Sequence, residues 1–189
     1  MINLAIQHLA TQLNQYLRRT YDLNEDVVVI SNLVEMDGSV APNVNNKVVI
    51  FLANVQNDTT PSRQGAFQEI GKLSIKSSQP LYFNLYVMMT ANFTGNNYPE
   101  ALKFLSSTIS FFQRHALFNH QTTPELDRRI EKLILDIENL SIQDLSNLWG
   151  SLGGKYLPSI LYKVRMVTFD AGEISGRVPT VGEPKSSVN

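Results

Sequence analysis

Residues 140–169 constrain the fold most, because a short helix and a long strand follow one another there with almost no connecting chain. Ser141 is a favourable N-cap residue, and Asp144, three positions later, suits a capping box. Large apolar residues then recur at helical spacing, at Leu145, Leu148, Trp149 and Leu152. The pattern predicts one amphipathic helix that packs on a neighbouring layer.

Glycine and proline residues indicate where this helix ends and where the strand can begin. Gly153 and Gly154 suit a helix C-terminus because glycine adopts a left-handed conformation without a Cβ clash, and Pro158 blocks further helix. From residue 160 to 169, two sets of side chains alternate, as in a β-strand.

The preceding chain contains further elements. Apolar residues spaced by three or four predict a helix over residues 2–18, and a β-branched run predicts a short strand at 27–30. Glycine, proline and asparagine between 36 and 46 indicate a loop. Two strongly apolar runs, 47–55 and 81–91, predict central strands.

The strand over residues 81–91 has large side chains on both faces. We therefore expect both faces to be covered, one by helices and the other by a neighbouring subunit. The connection over residues 56–79 is long and polar, which indicates a projecting hairpin tip or another functional loop.

A second amphipathic helix begins near Pro99, at a first-turn position that needs no amide proton. Its predicted inner face consists of Ala101, Leu102, Leu105, Ile109 and Phe112, with Phe104 and Phe111 flanking it. Residues 117–124 are predicted to form a loop.

The pattern over residues 129–140 fits a helix and a strand equally well. After Asp170 the chain becomes rich in glycine, proline and small polar residues. These features predict one folded domain over residues 1–170 and a flexible tail over 171–189.

Composition narrows the function. The 189 residues have a formal net charge of -1, which gives no global attraction to nucleic acid or to an anionic membrane. Only 17% of the residues are charged, as expected for a surface packed against neighbours, although an ordinary polar surface explains this low fraction equally well.

Cysteine is absent from the sequence, which excludes disulfides, thiol catalysis and sulfur-ligated metals. The N-terminus lacks a signal-peptide pattern and no stretch is long and apolar enough to span a bilayer, so we expect a cytoplasmic protein.

No motif predicts catalysis, a metal or a cofactor. The glycines before Lys155 resemble a phosphate loop only superficially, because the spacing is one residue short and Tyr156 replaces serine or threonine. The three histidines, His8, His115 and His120, lack the spacing of a zinc site. Serine is common, but no GxSxG motif is present.

Several runs together resemble one known family. They are NKVVIFLANV, PLYFNLYVMMTANF, YPEALKFLSSTISFFQ, the FNHQ loop at residues 118–121 and LWGSLGGKYLPSILYKVRMV. In this order they resemble the cap, or tail-terminator, proteins of phage-tail-like contractile injection systems. The similarity is to the domain found at the N-terminal end of the larger members.

The resemblance implies an α+β fold with a mixed or mainly antiparallel sheet flanked by about three helices, and it implies a strand at 129–140 that pairs with 159–169. It also implies a homohexameric ring that seats on the last inner-tube ring, contacts the terminal sheath ring and stops polymerisation. No enzyme activity, cofactor, nucleic acid or membrane partner is implied. For this chain the resemblance implies a cytoplasmic location at assembly, within a contractile particle that is then either released or membrane-anchored. An adaptor of an unrelated assembly and an enzyme with an unrecognised site are the alternatives.

Basic residues are the candidates for the interface with tube or sheath. They are Arg63, Lys72, Lys155, Lys163 and Arg165. The last three line one strip, which either meets an acidic partner surface or is the solvated face of an antiparallel strand.

Overall fold

A computed structural model of the chain describes residues 1–58, 82–93, 95–153 and 155–168. Within these ranges the elements follow the order α1 (Ile2–Tyr21), β1 (Val28–Ile30), β2 (Lys47–Asn57), β3 (Tyr82–Asn92), α2 (Tyr98–Arg114), β4 (Leu117–Asn119), β5 (Ile130–Ile137), α3 (Ile142–Ser151) and β6 (Ser159–Thr168). A single 3-10 turn, Gly95–Asn97, precedes α2. The predicted α+β class is confirmed.

The described strands form one six-stranded mixed sheet in the order β1-β2-β3-β6-β5-β4. Strands β1 and β2 are parallel, and every other pair is antiparallel. The longest strands, β2, β3 and β6, lie together in the middle, and three-residue strands form both edges. Short edge strands limit the backbone surface open to unwanted pairing.

Helices α1 and α2 cover one face of the sheet, which we call the inner face. The largest side chains fully buried in this core include Leu9, Leu13, Leu17, Phe112 and Phe118. Helix α1 reaches towards both sheet edges, because Asn14 bonds to the start of β1 and the His8 ring meets Phe118 of β4 edge-on at 5.5 Å. The sheet therefore curls around α1.

The buried side of α2 differs from the prediction. Phe104 and Phe111, predicted to flank the inner face, are buried at its centre, whereas Leu102 is 43% exposed. Aromatic contacts explain the rotation, since Phe104 meets Tyr21 at 5.1 Å and Phe111 stacks on Tyr16 at 5.0 Å. Rings from α1 thus select the aromatic side of α2 over its aliphatic side.

The predicted loop at 117–124 is wrong at its start, because Leu117–Asn119 is the edge strand β4. Three residues are too few for a strand pattern to be recognised in the sequence. They form a strand here because they pair with Lys132–Ile134 of β5. The ambiguous segment is strand β5, Ile130–Ile137, and it pairs with β6 as the resemblance implied.

Helix α3 begins as predicted, with Oγ of Ser141 accepting the backbone N–H of Asp144 at 3.1 Å. Gly153 follows the helix with a φ of 67°, the left-handed conformation that glycine favours. Leu148 and Leu152 pack on the sheet face opposite α1 and α2, the outer face. None of the described helices combines the length and apolar character needed to cross a membrane.

Candidate functional site

The chain itself covers only part of the outer face. A second core cluster there joins Val49 and Phe51 of β2, Met88 of β3 and Leu161 of β6 to the leucines of α3. Ala41 and Val44, from the loop before β2, complete it. Elements of this chain therefore supply the cover expected from a neighbouring subunit over this part of the face.

Beyond this cluster the outer face becomes polar in two consecutive rows that cross the sheet, which we call the polar rows. The register places Asn54, Tyr86, Lys163 and Asp136 side by side in the first row. It places Gln56, Asn84, Arg165 and Ile134 in the second. Because opposed residues of antiparallel strands share a face, each row presents its side chains in one direction.

Side-chain contacts join the two rows to each other and to the end of β2. The hydroxyl of Tyr86 donates to Oε1 of Gln56 at 3.1 Å. Nε of Arg165 lies 2.8 Å from Oδ2 of Asp58, whose side chain is 6% exposed. Oδ1 of Asn84 is buried and accepts no hydrogen bond from the described residues. Arg165 is thus partly used within the sheet, while Asn84 keeps an unused acceptor.

The first row contains one positive and one negative side chain. Lys163 and Asp136 are register partners on β6 and β5, yet no ion pair within 4 Å involves either residue in the described part of the chain. Asp136 is exposed and Lys163 is half-buried. Within the described residues, these two charges are therefore not compensated by an ion pair.

The structure brings together two of the five predicted interface residues, Lys163 and Arg165, two positions apart on one face of β6. Lys155 is exposed on the connection between α3 and β6, outside the polar rows. Arg63 and Lys72 lie outside the described residues.

Sequence reasoning missed the neighbours of these cations. Asp58, Asn84, Tyr86 and Asp136 come from three other parts of the chain. Alternation in β3 and β5 placed Asn84, Tyr86 and Asp136 on polar or mixed faces, but only strand pairing puts them beside Lys163 and Arg165.

Two of the three histidine rings lie within hydrogen-bond distance of backbone carbonyl oxygens, and the third is buried in the core. His120 Nε2 lies 2.9 Å from the carbonyl oxygen of Ile130, and His115 Nδ1 lies 3.0 Å from that of Phe111. Burial lowers the pKa of His8, against a smaller opposing effect of the Glu125 carboxylate. Among the described residues, no group of three or more histidine, aspartate or glutamate side chains is arranged to hold a metal ion. Gly150 lies inside α3, so the strand–loop–helix order of a phosphate loop is absent there.

Comparison with known proteins decides the family. Residues 5–183 match the model of the Pvc16 N-terminal domain. The chain belongs to the Pvc16 N-terminal domain family. No curated protein matches its sequence. The predicted relationship to cap and terminator proteins is thereby confirmed, and the family match ends 13 residues beyond the predicted domain boundary at residue 170.

Two solved structures have a similar fold. One is described as a PVC sheath/tube terminator of an extracellular contractile injection system in the extended state, with a TM-score of 0.62, 17% identity and coverage of 100% of this chain. The other is the tube-terminating cap of the anti-feeding prophage, with a TM-score of 0.52, 17% identity and coverage of 94% of this chain. The Pvc16 N-terminal domain chain corresponds to 64% and 59% of those chains, so it spans less than two thirds of either.

Proposed function

We propose that this chain is a structural terminator of a contractile injection particle. It seats on the distal end of the inner tube, contacts the terminal sheath ring and stops polymerisation. The observation that carries the proposal is the fold match over the whole chain to a protein described as a sheath/tube terminator. Membership of the Pvc16 N-terminal domain family supports it.

The physical requirement for such a protein is asymmetry. A growing tube presents a head-to-tail interface that never closes, so a ring that matches it on one side only ends growth. The curled sheet has two different faces, one covered by α1 and α2 and the other only partly covered by α3. Different faces on one subunit are what a one-sided cap needs.

The polar rows are the surface we assign to the tube or sheath. They lie on rigid central strands, which hold a contact surface in one geometry without an ordering cost. Lys163 and Asp136 provide one charge of each sign at a defined separation, which gives orientation and selectivity rather than large affinity.

The working unit is a ring of identical subunits, proposed here as a hexamer. Six copies of the 21.3 kDa chain have a mass of about 128 kDa. Light scattering of the purified protein tests whether the ring closes in solution. A mass near this value supports a ring that forms alone, and a monomer at every concentration contradicts it.

The terminator acts without catalysis or a cofactor. Both structural relatives are described as terminators or caps, and the histidines have the structural contacts given above. We place its assembly in the cytoplasm and its final position in the particle. An enzymatic role is tested by screening the purified ring for hydrolysis of nucleotides and generic esters, and turnover that survives repurification contradicts the purely structural assignment.

Location within the particle tests the proposal directly. Gold-labelled protein is added to tube and sheath subunits during assembly, and particles are imaged by electron microscopy. We expect labels at one end of each particle only, up to six of them if the ring is a hexamer. Labels along the sheath, or none at the ends, contradict the proposal.

A further inference from the structure

A pocket lies between α1, the end of α2 and β4, and we call it the aromatic pocket. Rings stack along it, because the centroid of Phe111 is 5.0 Å from that of Tyr16 and 4.7 Å from that of His115. Its lining also includes Gln15, Arg19 and Leu117. The volume is about 290 Å³, near the lower limit of ligand pockets, which suits one or two side chains rather than a cofactor.

Two arginines flank the aromatic pocket. Arg19 lines it and is exposed, and Nη2 of Arg114 donates to the hydroxyl of Tyr16 at 2.8 Å. In the described part of the chain, neither arginine forms an ion pair. The carboxylate of Glu125, which accepts from Gln12 at 2.9 Å, adds one negative charge nearby, so the arginines outnumber it. A matching occupant has a flexible apolar side chain with carboxylates beside it.

The connection between β1 and β2 presents such a side chain. Residues 34–40 form a small hairpin, which we call the Met36 hairpin. The N–H of Glu35 donates to the carbonyl oxygen of Ser39 at 2.8 Å, and the N–H of Ser39 donates to Oδ1 of Asp37 at 2.9 Å. These bonds hold the turn in one shape, with Met36 fully exposed between the two acidic residues.

The Met36 hairpin and the aromatic pocket are complementary in chemistry. A methionine side chain is unbranched and flexible, and its sulfur makes favourable contacts with aromatic rings. Glu35 and Asp37 supply two carboxylates for the two arginines. Hydrogen bonds from Ser39 lower the pKa of the Asp37 carboxyl, which keeps it charged at neutral pH. Within the described residues, neither acid is part of an ion pair.

The two features belong to opposite edges of the sheet. The Met36 hairpin follows β1, the first strand in the sheet order, whereas the aromatic pocket adjoins β4, the last. Met36 does not line the pocket of its own chain. Complementary surfaces at opposite edges of a subunit produce a head-to-tail contact between copies, and such contacts close into a ring when the rotation fits.

We propose that the Met36 hairpin of one copy docks in the aromatic pocket of the next copy. The inference rests on the ring of identical subunits in the proposed function, and it names the contact that joins them. Met36 enters the pocket beside the ring stack, and the carboxylates of Glu35 and Asp37 meet the flanking arginines. Each subunit then gives one hairpin and receives one, so every contact around the ring is the same.

Photocrosslinking identifies what covers the aromatic pocket. The sequence contains no cysteine, so Gln15→Cys at the pocket takes a single benzophenone maleimide. Labelled copies are mixed with isotopically heavy, unlabelled copies, and the mixture is irradiated as free protein and after assembly with tube and sheath subunits. Mass spectrometry should find adducts between copies within residues 33–41. Ser106→Cys, exposed on α2, carries the same label away from the pocket and should give none in that segment.

A second variant tests the methionine itself. Met36→Asp changes a fully exposed side chain, so the fold of the subunit should be unaffected. In the Q15C background we expect it to lower the yield of adducts between copies about tenfold, because a carboxylate replaces the apolar group that enters the pocket. Ile142→Asp is the matched control, since Ile142 is 89% exposed on α3, and it should leave the yield unchanged.

Several results would overturn the proposal. Adducts to tube or sheath peptides, or to another segment of a second copy, mean that a different occupant covers the pocket. The absence of adducts in both preparations, or equal yields with and without M36D, also excludes the contact. Failure of the proposed function gives a different result. A chain that forms these adducts but leaves tube growth unchanged is not a terminator, whereas a chain that stops tubes without these adducts lacks only this contact.

Discussion

Oδ1 of Asn14 accepts the backbone N–H of Val27 at 3.0 Å, which ties the middle of α1 to the first edge of the sheet. The same oxygen accepts the N–H of Val28 at 3.1 Å, and Nδ2 donates to Asp26 at 2.6 Å. One amide side chain thus holds the connection between α1 and β1 to the helix.

Replacing Asn14 by leucine keeps the approximate size but leaves the buried N–H groups of Val27 and Val28 without acceptors. We expect Asn14→Leu to lower the free energy of unfolding by about 1–3 kcal/mol. Urea denaturation provides the measurement. Gln15→Leu, at the next and exposed position, is the control and should change stability by less than about 0.5 kcal/mol. Equal effects of the two variants would contradict the role of Asn14.

His8 makes stability depend on pH. Its Nε2 is buried and has no hydrogen-bond partner among the described residues, and burial lowers the pKa of the imidazole below its usual 6.5. The unfolded chain therefore takes up the proton first, and stability is lost as pH falls through about 6.5. The Glu125 carboxylate, whose pKa is also lowered, opposes this effect only in part.

The corresponding variant is His8→Leu, which fills the apolar site beside Phe118 without a titratable group. Urea midpoints at about pH 7 and about pH 5.5 should differ more for the unmodified protein than for the variant. The same pH slope in both proteins would mean that other groups control the acid sensitivity.

The Ser141 cap stabilises α3 and, through it, the cover on the outer face. Ser141→Ala removes the acceptor for the Asp144 N–H, and we expect a loss of about 1 kcal/mol in the free energy of unfolding. Ser146→Ala, inside the same helix and exposed, should be nearly neutral. A neutral S141A in thermal and urea denaturation would show that packing alone fixes the helix start.

The polar rows predict a charge-dependent contact. Lys163→Glu places a second negative charge beside Asp136 and should weaken binding to tube or sheath about tenfold at low salt, with a smaller loss at high salt. Lys103→Glu is the control, because Lys103 lies on α2, on the opposite side of the sheet, 47% exposed. Equal binding by K163E and K103E would remove the polar rows from the interface.

The local sequence pattern was enough to predict the long strands. It was not enough for the short strand β4, or for the buried side of α2, which depends on contacts with another helix. Strands β2, β3 and β6 were predictable because their apolar runs are long and their ends are marked. Strand β4 was not, because three residues acquire a strand conformation only through β5. The buried side of α2 was misjudged because rings on α1, far away in sequence, determine which side is covered.

The candidate site was predictable only in part, for the same reason. Alternation along β6 placed Lys163 and Arg165 on one face from sequence alone. The position of Asp136 beside Lys163 depends on the register of β5 against β6, and that of Asp58 beside Arg165 depends on the end of β2. Both are long-range pairings that no single-strand pattern contains.

The length of tubes grown with this protein tests termination most directly. Tube subunits are polymerised with increasing amounts of the purified chain, and lengths are measured by electron microscopy. A terminator predicts that mean length falls as the chain is added and that growth does not resume when fresh tube subunits follow. Tubes of unchanged length, or tubes that resume growth from labelled ends, would contradict it.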